Sequence, residues 1–234
     1  MHEFAEELQS CELRDLIVTT VHINPQGVDD EYLECLNLCF GNWGDRRIFD
    51  WYFRRKTGFP DPDLIVLKKN GQIMAGSAVT YRRVALLNGN EIGVGIMTGS
   101  WTLPHFRGRG CFTRMVKESL HLTAQKDGSL LLAFVTEDNA SLRQLTKAGA
   151  ALFGSSYIFS TPRTVRHKVA CQLTSVAKGE AAIKSMFKQL SKGGKGYCRF
   201  SYSSERDLAA QFIHRPGDEL PHKKSTRNGI VASN

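Results

Sequence analysis

No stretch of this 234-residue chain approaches the run of about eighteen apolar residues that a membrane-spanning helix needs. Its opening, MHEFAEELQSCELRD, is polar and acidic, without the basic and then apolar pattern of a secretory leader. The six cysteines, at 11, 35, 39, 111, 171 and 198, form no C-x-x-C pair, and the seven histidines are dispersed, so no zinc-ligand spacing arises. Cys35 and Cys39 lie one helical turn apart, which suits an apolar helix face. There is no internal repeat, and no helix-turn-helix, RNA-recognition or zinc-finger pattern. These absences predict reduced thiols, a cytoplasmic protein, no membrane partner, no structural metal and no dedicated nucleic-acid reader.

What is present is an ordinary globular composition, with 41% hydrophobic and 23% charged residues. The length suits one substantial domain, or one domain plus a partial second. The net charge of +8 is unevenly placed: from Thr161 onward there are 14 basic and 5 acidic residues, against 17 and 18 before it. A basic surface attracts anionic partners. The same charge is also what a solvated helix face and a polar chain end carry, and that is the reading preferred here. The expected division is residues 1–173 as the main domain and 174–234 as a basic, partly ordered C-terminal extension.

Periodicity supplies the elements. Leu16 to Ile23 reads as a strand. Tyr32, Leu33, Leu36 and Phe40 recur at helical spacing over Asp29 to Phe40, with Asp29 or Asp30 as cap and Gly41 as stop. A second helix, about Arg46 to Arg55, carries so many aromatics that either core packing or a substrate pocket fits it; core packing is preferred. Asp63 to Lys69 and Gln72 to Leu87 flank Asn70-Gly71, a strong hairpin signal. A second turn at Asn88-Gly89-Asn90 leads into a strand over Glu91 to Leu103. A helix over Cys111 to Lys126, a continuously apolar and hence buried strand over Leu130 to Thr136, a helix over 139–148 and strands at Ala151 to Ser160 and Thr164 to Leu173 follow. Beyond these lie an amphipathic helix over Glu180 to Leu190, a strand over Tyr197 to Tyr202 and a helix over Ser204 to Ile213.

The most informative stretch is Thr102-Leu-Pro-His-Phe-Arg-Gly-Arg-Gly-Cys-Phe-Thr113. A strand leads in, a helix leads out, and Gly108 and Gly110 alternate with Arg107 and Arg109 between them. Such a turn gathers backbone N–H groups at the positive end of a helix, a setting for phosphate oxygens. An ordinary βα turn with surface arginines is the bland alternative. The dinucleotide fingerprint fails because Thr113 holds the third glycine position, and no P-loop pattern occurs.

The pattern that fits, R-x-x-G-x-G/A, resembles the pyrophosphate loop of the GNAT superfamily of acyl-CoA-dependent N-acyltransferases, in the R-G-R-G-x-F subset that includes Eis-like members. Arg107 and Gly110 match it, Phe112 departs from its small last residue, and Pro104 sits where that family places one. Downstream, Asp138-Asn-Ala-Ser-Leu-Arg-Gln-Leu-Thr-Lys-Ala-Gly149 resembles the family's second motif through Ser141, Lys147 and Gly149. It departs at Asp138, at Ala150 and at Leu145, where the family often carries tyrosine. The resemblance implies an α/β (α+β) fold, with a mixed, mostly antiparallel central sheet flanked by helices.

It also implies an N-acetyltransferase moving an acetyl group from acetyl-CoA directly to a primary amine of a small molecule or amino sugar. The alternative is a non-catalytic acyl-CoA-binding or interaction module that kept the fold after losing its acid. Carried over by position, the backbone of Thr102 and Leu103 holds the pantetheine and polarises the thioester. The amides of Arg107, Gly108, Arg109, Gly110, Cys111 and Phe112 hold the pyrophosphate. With Leu145 unable to donate a proton, the acid and base fall to substitutes: Tyr157 as thiolate acid and Glu137 as base. Each also has a plain reading, Glu137 as a solvated carboxylate near a helix cap. A small-molecule amine is the expected partner, and the oligomeric state is left open, a homodimer included.

Overall fold

The computed structural model describes residues 19–135, 139–152 and 198–212, with the isolated positions 184, 187, 188 and 216. The expected strands at Ala151 to Ser160 and Thr164 to Leu173 fall outside these residues, as does most of the expected helix over Glu180 to Leu190. The chain divides into two compact units. The first comprises residues 1–55, 60–81 and 93–151, and the second residues 56–59, 82–92 and 152–234.

Unit 1 follows the chain order read from the sequence. Its elements are β1 (Thr19–Ile23), α1 (Asp29–Phe40), α2 (Arg46–Phe53), β2 (Asp63–Lys69), β3 (Gln72–Ala85), β4 (Glu91–Thr102), α3 (Cys111–Gln125), β5 (Gly128–Ala133) and α4 (Ala140–Lys147). In the sheet the strands run β1-β2-β3-β4-β5. β1 with β2 and β2 with β3 are antiparallel, and β4 with β5 is parallel. The Asn70-Gly71 turn has both residues at positive φ, 51° and 80°, the type I′ geometry that matches strand twist. It sets Lys69 opposite Gln72 and Lys68 opposite Ile73, and the register then shifts by one residue between Leu67 and Lys68. A buried polar cluster fixes the other end of the pairing: Tyr81 Oη donates to Asp63 Oδ2 and Asn24 Nδ2 to Asp63 Oδ1, each at 2.6 Å.

One face of the sheet is packed by aromatics. Tyr32 of α1 is fully buried and meets Phe49, Phe53 and Trp101 edge-on, with centroids 5.1–6.0 Å apart. The aromatic density of α2 is therefore core packing: Phe49, Trp51 and Phe53 are all buried. α2 begins as read, with Asp45 accepting from the Ile48 N–H at 3.0 Å. The cap of α1 differs from expectation. Its N-cap is Val28, with no side-chain cap, and Asp29, Asp30 and Glu31 occupy the first turn, where they face the positive helix end. β5 also differs. It ends at Ala133 and is half-buried, with Leu130 51% exposed, so its apolar run does not mark a strand enclosed on both faces among the described residues.

In unit 2 a short strand, β6 (Arg199–Ser201), pairs antiparallel with Arg83–Ala85 at the end of β3. A helix, α5 (Glu205–Phe212), follows. Ser204 Oγ accepts from the Asp207 N–H at 3.1 Å, and Asp207 Oδ2 accepts in return from the Ser203 N–H at 3.2 Å, a reciprocal cap at the helix start. With β6 the sheet has six strands among the described residues, mostly antiparallel and flanked by helices.

Gly76 tests the aromatic packing. A methyl group there would lie 2.4 Å from the Tyr32 ring and 2.7 Å from Trp101. We expect Gly76→Ala to destabilise the protein by about 1–3 kcal/mol, read as a lower urea midpoint at unchanged slope. A midpoint equal to wild type would mean that these rings are loosely held.

Candidate active site

β4 reaches beyond its parallel partner. Pairing with β5 begins at Gly93/Gly128 and ends at Met97/Ala133, whereas β4 continues to Thr102. Residues Thr98–Thr102 thus have no strand on that edge among the described residues. Gly99, at φ +57°, allows the local change of direction. At the end of β4 Pro104 opens a single 3-10 turn, Pro104–Phe106, and the Gly-rich turn carries the chain into α3.

Gly108 and Gly110 lie at φ +78° and +74°, a left-handed conformation in which a side chain is strained. Gly110 is the N-cap of α3 and supplies no side-chain cap. Helix geometry leaves the first N–H groups of α3 without intrahelical partners, and the helix dipole makes this end positive.

The loop and the free strand edge border one cleft of about 740 Å³ within unit 1. It is lined by Cys39 and Phe40 of α1, Ser100, Trp101 and Thr102 of β4, Phe106 through Thr113, and Ala140, Ser141 and Gln144 of α4. Of the residues expected from the sequence, the structure brings Thr102, Arg107, Gly108, Arg109, Gly110, Cys111 and Phe112 together on this cleft. Arg107 Nε donates to the Thr102 carbonyl at 3.3 Å, and the Cys39 thiol approaches the same oxygen at 3.7 Å. The Arg109 guanidinium lies 5.7 Å from the centre of the Phe106 ring.

Leu103 requires a correction. Its side chain is buried and its N–H donates to the Met74 carbonyl of β3 at 2.9 Å. The N–H and C=O of a trans peptide point in opposite directions. The Thr102 carbonyl accordingly faces the open edge while the Leu103 N–H is committed to the sheet. Successive N–H groups of a strand alternate between its two edges, so Thr102 and not Leu103 presents its amide to the gap. Glu137 and Tyr157 lie outside the described residues.

The sequence reading did not single out Cys39, Phe40, Ser100, Trp101 or Gln144. The Cys35/Cys39 spacing was a signal, but it reads equally as a core face. Burial pushes the Cys39 thiol above its ordinary value, with the Arg107 cation opposing, and likewise the Cys111 thiol, which donates to the Phe106 carbonyl at 3.8 Å. Leu145 of α4, where a tyrosine would be expected from the resemblance, is buried. On α4 Asn139 is the N-cap, accepting from the Ser141 N–H at 2.9 Å, and Gly149 follows the helix at φ +88°.

The family model of the acetyltransferase (GNAT) domain matches residues 19–137, just over half of the chain, and the chain belongs to that family. It is therefore an acyltransferase, with acetyl-CoA as the acyl donor. Two solved structures resemble it at a TM-score of 0.50. One is a transcriptional regulator from Bacillus halodurans C-125, 15% identical, over 61% of this chain and 99% of that one. The other is the aminoglycoside N-acetyltransferase AAC(6')-Iy in complex with a bisubstrate analog, CoA-S-monomethyl-acetylneamine, 11% identical, over 62% and 99%. At these identities the likeness is one of fold. No curated protein matches the chain in sequence.

Two outcomes follow from the side chains. Leu145→Ala should lower stability by about 2–5 kcal/mol, as for other buried leucines, without moving the pH dependence of any acetyl-CoA reaction. A variant of native stability with a shifted pH profile would place this position beside the chemistry. Cys39 should alkylate slowly at neutral pH and faster only as the pH rises beyond the ordinary thiol range, because only the thiolate reacts and burial disfavours it. The exposed Cys198 should react sooner. Peptide-resolved mass spectrometry after iodoacetamide treatment reads both, and equal rates at pH 7.5 would contradict the burial argument.

Proposed function

We propose that this protein is an N-acetyltransferase that passes the acetyl group of acetyl-CoA directly to a primary amine of a small molecule or amino sugar. The observation that carries the reading is that β4 outruns its pairing with β5 among the described residues, and that Ser100, Trp101 and Thr102 of that stretch line the same cleft as the N-terminus of α3, which has no side-chain cap. A thioester arm needs an extended slot with backbone hydrogen bonds, and a pyrophosphate needs clustered N–H groups and positive charge. Both requirements meet within one cleft.

In this reading the amides from Arg107 to Phe112 and the two arginines hold the pyrophosphate, and Phe112 contributes its N–H whatever its side chain. Thr102 anchors the pantetheine arm. Leu103 backs the strand without touching the ligand. The amine loses a proton before attack, and the leaving thiolate gains one. Glu137 as base and Tyr157 as acid remain the proposed agents of those steps. The structural neighbour AAC(6')-Iy is named for acetylating aminoglycosides, which supports an amino-sugar acceptor as one choice within the amine class.

The buried Leu145 leaves the usual acid position apolar, which favours slow turnover. No helix among the described residues is long and apolar enough to cross a membrane.

The test pairs calorimetric binding of acetyl-CoA with release of CoA–SH across a panel of amines. Turnover with a primary amine sustains the reading, and tight binding without turnover across the panel overturns the choice of acceptor class. Gly110→Asp should weaken acetyl-CoA binding at least tenfold, because its carboxylate would face the pyrophosphate from the helix N-cap. The left-handed conformation at 110 adds a folding cost of about 1–2 kcal/mol, so the folded variant must first be verified by circular dichroism. Unchanged affinity in that folded variant would remove the loop from the site.

A further inference from the structure

Phe112 stands where the resembled loop pattern carries a small residue, and a role for its N–H alone leaves the ring unexplained. The ring opens a stripe along α3. Met115, Val116, Ser119 and Thr123 follow it at i+3, i+4, i+7 and i+11, and all four are buried. The stripe faces the sheet. Thr123, near its far end, packs so closely on β4 and β5 that a Cβ at Gly95 or Gly128 would lie 2.1 Å or 2.5 Å from its side chain. Phe112, at the near end, is only half-buried and lines the cleft.

The difference between the two ends follows from where β5 stops. Because β4 and β5 are parallel, α3 runs back along them from the end of β4. The step from Thr123 to Phe112 spans about 16 Å of helix, which matches about five residues of strand. Counted from Gly95, that sets Phe112 over β4 near Ser100, past Met97, where the pairing with β5 ends. The helix face that meets two strands at Thr123 therefore meets one strand and the cleft at Phe112. Helical side chains lean toward the helix N-terminus, so the ring leans toward the Gly108–Gly110 turn. It takes part in no aromatic pair or cation–π contact among the described residues; Arg109 lies over Phe106 instead.

We propose that the Phe112 ring packs against the two methyl groups of the pantoyl unit of acetyl-CoA, and so selects coenzyme A thioesters over free adenine nucleotides. This rests on the reading of the cleft as the acetyl-CoA site. Loop amides and arginines recognise a pyrophosphate as such, and ADP and acetyl-CoA both carry one on adenosine. The two differ on the far side of it. In ADP the terminal phosphate has free anionic oxygens, which lose water against an apolar ring. In acetyl-CoA that phosphate is an ester, and one CH₂ beyond it lies a quaternary carbon bearing two methyl groups. An arm that runs from the loop toward the edge of β4 carries those methyls past the first turn of α3, on the side that the ring covers. Discrimination then combines an attraction for one ligand with a penalty for the other.

Calorimetry with acetyl-CoA and with 3′-phospho-ADP, the nucleotide half of the same molecule, tests this without an amine acceptor. Both are titrated into wild type, Phe112→Ala, Phe112→Asn and Phe112→Leu, each first verified as folded by circular dichroism. Phe112→Ala should weaken acetyl-CoA by about 5- to 20-fold, the worth of two buried methyl groups, and leave 3′-phospho-ADP unchanged or bound more tightly. Phe112→Asn should behave in the same way. Phe112→Leu, apolar but without a ring, should keep most of the preference. A ring that only held α3 in place, or that stacked on the adenine, would change both affinities together. A ratio of the two affinities that is equal in all four proteins therefore overturns the inference and leaves the cleft assignment standing. If wild type binds neither ligand, the cleft assignment fails and this inference with it.

Discussion

The separation of β4 from β5 after Met97 and Ala133 is the constraint on which the rest of this site depends. Backbone N–H and C=O groups away from water must be paired. A strand that outruns its neighbour leaves a row of them along one edge, which is normally a hazard. Here the edge is managed locally. Arg107 Nε and the Cys39 thiol both turn to the Thr102 carbonyl, so the last acceptor on that edge is engaged by two side chains. The remaining edge is the kind of surface on which an extended amide-containing arm can lie as a strand would.

The opening persists because β4 is held from behind. Trp101 packs edge-on against Tyr32, which also meets Phe49 and Phe53. The Leu103 N–H bonds to Met74 of the neighbouring strand. Gly76 leaves room for the Tyr32 and Trp101 rings to approach the sheet. With one edge of β4 bonded and one face packed by rigid rings, the strand can leave its other edge free without collapsing onto β5. The β4 positions that line the cleft are thus carried by a regular element, which holds a geometry more closely than a loop does.

How much of this was legible in the sequence varies with the range of the interactions. The hairpin at Asn70-Gly71 and the boundaries of α1 over Asp29–Phe40 were plain, because turn chemistry and helical spacing act locally. The loop from Arg107 to Phe112 was legible for the same reason: its glycines and arginines are contiguous. Cys39, Phe40 and Ser100 were not, because they reach the cleft only after α1 and β4 pack together, and nothing in their neighbours predicts that. Leu103 was misjudged because alternation along a strand decides which amide faces the gap, and the sequence does not say which phase applies. The run around Leu130 to Phe134 was overread as a fully buried strand, since an apolar run alone does not distinguish one covered face from two. The roles given to Glu137 and Tyr157 came from position in a resembled motif, and both residues lie outside those described.

Leu145 bears on the rate of acyl transfer more than on whether it occurs. The leaving group is a thiolate, which departs far more readily than an amine or alkoxide, so protonation can follow departure. A positioned general acid contributes about 10²- to 10⁴-fold, an effect large enough to shape turnover but too small to account for a catalyst's whole advantage. The larger share comes from fixing the thioester and stabilising charge on its oxygen. Those functions depend on the free edge of β4, the uncapped helix start at Gly110 and the donors along the cleft, none of which requires a tyrosine at position 145. An apolar, buried side chain there instead binds α4 more firmly into unit 1. On the proposed function, position 145 serves packing while the principal requirements of acyl transfer fall to backbone geometry along the cleft.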